Sequence, residues 1–315
     1  MDCPTDLTAR FSADLAALWS GTGRLALAVS GGPDSLALLL LAHAALPGRI
    51  AAATVDHGLR PESAAEAALV GKICSELEVP HSALRVAVEP GNIQAQARAA
   101  RYAALAAWMA RDGLDALATA HHADDQAETL LARLSRGSGA AGLAGVRARG
   151  AVPGTRLALV RPLLGWRRAD LAEVVTLAGL TPVQDPSNSD DKFDRARLRK
   201  ALAGADWLDV PALALSAANL ADADAALDWA AQREWSEAVV KGPMGLTYRP
   251  AAPRAVALRV LARIVTELDG EAPRGSAVAR LFDSLLARQP ASIGNLVARV
   301  MPDGWSFTKA PVRRG

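Results

Sequence analysis

Leu25-Ala26-Leu27-Ala28-Val29-Ser30-Gly31-Gly32-Pro33-Asp34-Ser35-Leu36-Ala37-Leu38-Leu39-Leu40-Leu41 is the stretch on which the reading of this chain turns. Residues 25–29 are an apolar run of strand length, Gly31-Gly32-Pro33 interrupts it, and a second apolar run starts behind Asp34 and Ser35. A buried strand, a turn of small residues and a helix are expected in that order. Small residues let backbone N–H groups approach an anion, and the helix N-terminus behind them carries about half a positive charge. The turn therefore suits a phosphate. An ordinary corner would need only the glycines, whereas Ser30, Asp34 and Ser35 add two hydroxyls and a carboxylate. No Gly-Lys-Ser/Thr follows, so this is not a Walker A loop, and it lacks the lysine that stabilises a γ-phosphate.

Outward from that loop, 315 residues suffice for two domains or for one large domain with an appendage. Hydrophobic residues make up 51% and aromatic residues 4%, with alanine and leucine dominant, which favours a helix-rich protein with a large core. The net charge of +2 means that a nucleic-acid partner must be argued from local patches. Cys3 and Cys74 form no Cys-x-x-Cys, which argues against a disulfide scaffold and against a zinc or iron–sulfur site. The N-terminal stretch carries Asp2, Asp6 and Asp14 without a signal pattern, and no apolar run approaches the ~20 residues of a membrane span. A cytoplasmic protein with no membrane partner is the expectation.

Four further strand-length runs follow, at 50–55, 84–88, 116–120 and 157–160, each separated from the next by a helical pattern. The alternation predicts an α/β fold: a doubly wound, mostly parallel five-stranded sheet over residues 1–210. From Val210 the chain becomes Ala-rich, and a smaller, mainly helical domain is expected over 211–315, with a short strand near Leu246-Thr247-Tyr248-Arg249. Ligands bind such sheets at the strand ends, where Asp56 and His57 close the second run. The fourth run ends in His121-His122-Ala123-Asp124-Asp125-Gln126-Ala127-Glu128-Thr129. Acidic residues in a first helical turn can serve only as caps. That leaves His121, Asp125 and Glu128 together unexplained; they make a cage for an ammonium group or for magnesium. The spacing is not the His-x-x-x-His of zinc hydrolases.

Basic residues form the other signal. Arg98 and Arg101 share a helical face, a pattern also found on plain solvated helices. Arg133 and Arg136 lead into a Gly-rich stretch, which fits either a phosphate backbone or a surface loop. Lys192, Arg195, Arg197, Arg199 and Lys200 put five positive charges in nine residues against Asp194, which favours a polyanion contact, with Arg195 and Arg199 on one face.

Several motifs now stand in order: Ser30-Gly31-Gly32-Pro33-Asp34-Ser35, Val55-Asp56-His57-Gly58-Leu59-Arg60, Gln96-Ala97-Arg98-Ala99-Ala100-Arg101-Tyr102, the His121 cluster, Arg136-Gly137-Ser138-Gly139, Arg161-Pro162-Leu163-Leu164 and Asp185-Pro186-Ser187-Asn188. Over roughly residues 20–200 this order resembles the tRNA(Ile)-lysidine synthetases of the PP-loop ATP pyrophosphatase superfamily, in a short form. The resemblance implies an adenine nucleotide α-hydrolase-like fold and a ligase that uses ATP, Mg2+ and L-lysine on the CAU-anticodon tRNA(Ile). The wobble cytidine is adenylated with release of pyrophosphate, and the lysine ε-amine then displaces AMP to give lysidine.

By that resemblance Ser30, Gly31, Gly32, Pro33 and Ser35 hold pyrophosphate, Asp34 holds magnesium, and Asp56 and His57 belong to the nucleotide site. Arg101 stabilises developing charge, Arg98 belongs to the substrate site, and Asp125 and Glu128 receive the lysine ammonium. A carboxylate or His121 takes the amine proton. Arg133, Arg136, Arg195, Arg199 and the C-terminal domain contact tRNA. The oligomeric state is not set by the sequence, and a homodimer is compatible with it. Three other readings fit less well. A tRNA thiolase calls for catalytic cysteines, an amidotransferase-type ligase for a glutaminase partner domain, and a silent nucleotide- or RNA-binding protein has no use for the carboxylates Asp34, Asp125 and Glu128.

Overall fold

A computed structural model describes residues 4–58, 63–87, 93–183 and 194–310. The chain divides into two compact units, Met1–Ala221 and Asp222–Gly315. In the first, α1 (Thr5–Leu18) precedes β1 (Leu25–Ala28), α2 (Pro33–Ala45), β2 (Ile50–Asp56), α3 (Ser63–Glu76), β3 (His81–Arg85), α4 (Ile93–Asp112) and β4 (Ala116–Ala118). Then come α5 (Ala123–Leu134), α6 (Ala140–Leu143), β5 (Arg149–Ala151), β6 (Ala158–Val160), α7 (Arg168–Leu177), α8 (Asp194–Ala203) and α9 (Val210–Ala238), in which the division between the units falls.

The strands form one sheet in the order β3-β2-β1-β4-β6-β5. Its first five members pair in parallel, as the alternation of strands and helices requires, and β5 adds a short antiparallel edge on β6. The reason β1 reads as an unbroken apolar run is that both of its faces are covered. Leu25 and Leu27 point into a core with Phe11, Leu36, Leu39 and Trp166, while Ala26 points into another with Tyr102, Leu105, Trp108 and Met109. Each buried leucine of α2 contributes about 1.5–3 kcal/mol relative to exposure, and residues 36–41 of that helix are leucine or alanine buried throughout. Cys74 sits in the first core, where burial pushes its thiol up to about 12. It is an inert core residue.

Two elements differ from the sequence expectation. Strand β3 begins at His81, because pairing with β2 sets the register Ala52↔His81 through Asp56↔Arg85. The apolar alternation that suggested 84–88 starts only at the end of that pairing, and Val88 lies outside the described residues. The edge strand β5, Arg-Gly-Ala, is fully exposed and carries no apolar signal.

The second unit holds the end of α9, then β7 (Val239–Gly242), β8 (Gly245–Tyr248), α10 (Arg254–Asp269), α11 (Gly275–Leu286), β9 (Ala291–Ile293), β10 (Leu296–Met301) and β11 (Gly304–Lys309). Its strands form an antiparallel sheet in the order β7-β8-β11-β10-β9. Tyr248 and Phe282 meet Trp305 edge-on, with ring centroids 5.9 and 5.6 Å away, in a core that includes Leu261, Ile264 and Phe307. The unit is thus helical with a small sheet, of which the sequence reading contained one strand. Among the described residues no helix is long and apolar enough to cross a membrane.

The strand order reverses on either side of β1 and β4, so the crevice of this sheet lies where those two strands end. Residues 29–32 leave β1 there and residues 119–122 leave β4.

Candidate active site

The loop after β1 is held by its own hydroxyls. Gly31 sits at φ +86°, and a Cβ at that position would also lie 3.1 Å from Val183 Cγ2, so only glycine fits on both counts. Its carbonyl accepts the Val183 N–H at 2.9 Å. Gly32 caps α2 and Pro33 occupies its first position, where a missing N–H costs nothing. Buried Ser35 donates to the Gly32 carbonyl at 3.0 Å and accepts the Ser30 N–H at 3.1 Å. A hydroxyl has one proton. With that of Ser35 directed at Gly32, the 3.2 Å contact between Ser30 Oγ and Ser35 Oγ has Ser30 as donor. Both hydroxyls lace the loop, which leaves the N–H groups at the start of α2 to face an anion.

Helix α5 starts at the end of β4 with His122 as its N-cap, and Asp125 Oδ2 accepts the His122 N–H at 3.1 Å. The His122 ring is buried between carboxylates. Its Nε2 is 3.5 Å from Asp34 Oδ2 and 3.5 Å from Asp125 Oδ2, and its Nδ1 is 3.6 Å from Asp124 Oδ2. Burial opposes a charge on this imidazole, but Asp124, Asp34 and Asp125 outweigh it and raise the pKa to about 9. The raised pKa favours the imidazolium at neutral pH, set between Asp34 of the phosphate loop and the carboxylates of α5. Asp124 also accepts the Arg168 N–H at 2.8 Å and the Arg167 guanidinium at 3.2 and 3.3 Å. Burial acts against its charge, yet His122, Arg167 and the Arg168 N–H hold it well below the usual carboxylate range. Asp34 Oδ1 is buried with no hydrogen-bond partner among the described residues, so one oxygen of the loop carboxylate is free for a hard cation.

His121 has the opposite surroundings. Its Nδ1 lies 3.0 Å from Thr119 Oγ1. Burial, together with the positive charges of Arg161, Arg101 and Arg98, outweighs the attraction of Asp125 and lowers its pKa to about 4. At neutral pH it is an uncharged imidazole able to take up a proton.

One turn along α5, Glu128 is fully buried; its Oε1 accepts Arg199 Nε of α8 at 2.9 Å, while Oε2 has no partner among the described residues. Two residues expected to meet substrates thus meet each other. Arg195 falls on the first turn of α8, where the side chains lie outside the described residues, as does the whole Asp185-Pro186-Ser187-Asn188 motif. Arg133 donates to the carbonyls of Gly142 at 2.5 Å and Gly145 at 3.4 Å, bracing the Gly-rich stretch, and Arg136 is exposed. The Gln126 side-chain amide bonds both backbone groups of Val146, donating at 2.8 Å and accepting at 2.7 Å. Arg98 and Arg101 of α4 lie over the Tyr102 ring at 5.0 and 5.2 Å. Asp56 accepts Ser63 Oγ at 2.6 Å and the Gly58 N–H at 2.9 Å, which hold its pKa down; beside it, burial and Arg101 lower that of His57. Among the described residues no three histidines, cysteines or carboxylates are arranged to hold a metal ion by themselves.

A PP-loop domain family matches residues 6–205. The chain is 48% identical over 309 residues to the tRNA(Ile)-lysidine synthase of Novosphingobium aromaticivorans, covering 97% of this chain and 94% of that one. Its identity to the tRNA(Ile)-lysidine synthase of Zymomonas mobilis is 40% over 299 residues, covering 93% and 90%. The chain belongs to the tRNA(Ile)-lysidine synthase family.

Among solved structures, the U34-tRNA thiolase NcsA from Methanococcus maripaludis aligns with a TM-score of 0.56 at 15% identity, over 69% of this chain and 79% of that one. That likeness concerns the fold alone. Within this lysidine synthase family member, sequence reasoning named His121 and passed over His122, although both close the same strand. The available signal was the capping position: the residue just before an acidic first turn is the one those carboxylates surround. Tyr102 and Arg161 stood in quoted motifs without a role.

Proposed function

We propose that this protein forms lysidine in the CAU-anticodon tRNA(Ile), with ATP and L-lysine as co-substrates. The observation that carries this reading is the meeting of two half-sites at one imidazole, with Asp34 of the phosphate loop and Asp125 of α5 each 3.5 Å from His122 Nε2. Activation by a nucleotide and delivery of an amine need those two halves side by side.

In the first step the 2-oxo oxygen of the wobble cytidine attacks the α-phosphorus, and the bond to the β-phosphate oxygen breaks to release pyrophosphate. The N–H groups at the start of α2 receive the phosphates, assisted by Ser30, Gly31, Gly32, Pro33 and Ser35 as the framework of the loop, with Asp56 and His57 on the nucleotide side. Asp34, with its unpartnered Oδ1, is the residue that would hold Mg2+. A single carboxylate plus phosphate oxygens is an ordinary setting for that ion, which when bound offsets the charge of the leaving pyrophosphate. Arg101 adds positive charge near the reacting phosphate.

In the second step the lysine ε-nitrogen attacks C2, the C2–O bond breaks, and AMP leaves with the oxygen. Asp125 and the unpartnered Oε2 of Glu128 suit the ammonium of the incoming lysine. A carboxylate or His121, which is uncharged at neutral pH, takes its proton. Exposed Arg136, with Arg133, Arg195 and Arg199, and the second unit form the RNA-binding part of this reading. A reaction on tRNA with ATP belongs in the cytoplasm.

The test is to incubate the protein with ATP, Mg2+, labelled lysine and an unmodified CAU-anticodon tRNA(Ile) transcript. RNA-linked label should appear together with AMP and pyrophosphate in equal amounts. Folded protein that yields no RNA-linked lysine would sink the proposal.

A further inference from the structure

Arg161 stands at the end of β6, the strand that pairs with β4, so it lies beside the segment carrying His121. It is only 7% exposed. Its Nη1 donates to the Arg147 carbonyl at 2.5 Å, but its Nε is buried and makes no hydrogen bond among the described residues. Nor does Arg161 have a carboxylate partner among them. A buried guanidinium without a counter-ion costs several kcal/mol, and such a group persists where an anion completes it. A second orphan lies next to it. Tyr102 is 1% exposed, and its buried hydroxyl faces the Arg161 guanidinium without a well-formed hydrogen bond to it or to any other described residue.

Arg98 and Arg101 approach the ring of that same tyrosine, at 5.0 and 5.2 Å. Three guanidinium groups therefore gather around Tyr102, and the charge of each acts on His121. The carboxylate that faces His121, Asp125, accepts the His122 N–H through Oδ2. Burial is the main cause of the lowered pKa of His121, and Arg161, Arg101 and Arg98 act on it in the same direction.

We propose that Arg161 and Tyr102, with Arg98 and Arg101, form a second phosphate-binding pocket, distinct from the loop at 30–35, and that it seats a phosphate group beside His121. Strand β4 lies between β1 and β6, so the ends of β1 and β6 stand two strand spacings apart, about 10 Å. At that backbone separation the loop and Arg161 would engage different phosphates. The proposal rests on the reading above to the extent that it supplies two sources of phosphate, the nucleotide and the RNA backbone. The separation favours a phosphodiester next to the wobble cytidine, which would bring that base to the reacting α-phosphate.

Tyr102→Phe decides the matter, because it deletes one buried hydroxyl and keeps the packing. If that hydroxyl waits for a phosphate, Tyr102→Phe leaves the melting temperature equal or higher while the Kd for the tRNA transcript rises about tenfold, the effect of one hydrogen bond to a charged group. Arg161→Gln should weaken the same ligand and reduce the slope of log affinity against log salt by about one for the transcript. Parallel titrations with ATP and with inorganic pyrophosphate identify the source. A loss confined to the transcript assigns the pocket to the RNA backbone, and a loss confined to ATP assigns it to the nucleotide. Affinities of Tyr102→Phe within twofold of the wild type for all three ligands would overturn the pocket, as would a loss accompanied by a fall in melting temperature. If the wild type binds transcript in this Tyr102-dependent way yet makes no lysidine, the proposed reaction fails and the pocket stands.

Discussion

His121 and His122 are adjacent in the chain and opposite in chemistry. The first is lowered to about 4 by burial and by Arg161, Arg101 and Arg98, against the pull of Asp125; the second is raised to about 9 because Asp124, Asp34 and Asp125 outweigh its burial. Both stand between the end of β4 and the start of α5, where His122 is in extended backbone, a conformation that sends successive side chains to opposite sides. The end of β4 thus separates a positive compartment from a negative one within a single peptide unit. An enzyme that must gather phosphates and an ammonium in one crevice needs such a division, because like-charged groups held together would each shift the other's protonation.

The largest effect on this contrast should come from His122→Phe, which leaves Asp34, Asp124 and Asp125 around an uncharged ring. Removing one member of a buried ionic cluster costs about 3–5 kcal/mol, to be read as a lower denaturant midpoint. A loss under 1 kcal/mol would mean that the imidazolium does not hold the carboxylates together. Next in size, Glu128→Gln should slow lysine transfer by about a hundredfold, on the scale of losing one charged contact to a reacting group. Pyrophosphate release should fall much less. Equal losses in both steps would break the assignment of Glu128 to the amine half.

The smallest effect concerns pH. The folded pKa of His121 lies below its unfolded value, so the unfolded chain takes up a proton first as the solution is acidified. The stability contributed by neutral His121 is complete above about pH 6.5 and is lost as pH falls from there through about 4. His121→Gln should flatten the acid limb of a stability–pH curve in that window, and an unchanged slope would show that burial and the nearby arginines do not hold the imidazole neutral.

How legible each part was follows from the range of the interaction that made it. The strand, turn and helix at 25–41 could be read because burial of β1 on both faces and the backbone demands of Gly31 are local. Edge strand β3 was displaced by a pairing register set on β2, and the second sheet was hidden because three of its strands have only three or four residues. The site divides in the same way. Asp34, His121 and Asp125 followed from position at strand ends and helix starts. The Glu128–Arg199 pair joins residues 71 apart, and the Asp124–Arg167 contact joins residues 43 apart, so no spacing rule could reveal them.

Gln126 shows what a long-range contact can demand of one position. Its amide offers a donor and an acceptor in the arrangement of a peptide group, and it meets the N–H and the carbonyl of Val146 as a neighbouring strand would. Asparagine would be too short to span the gap, and glutamate would have the reach without the donor. A helix side chain has in effect become a backbone surrogate, and the genetic code offers only one residue with both its length and its polarity.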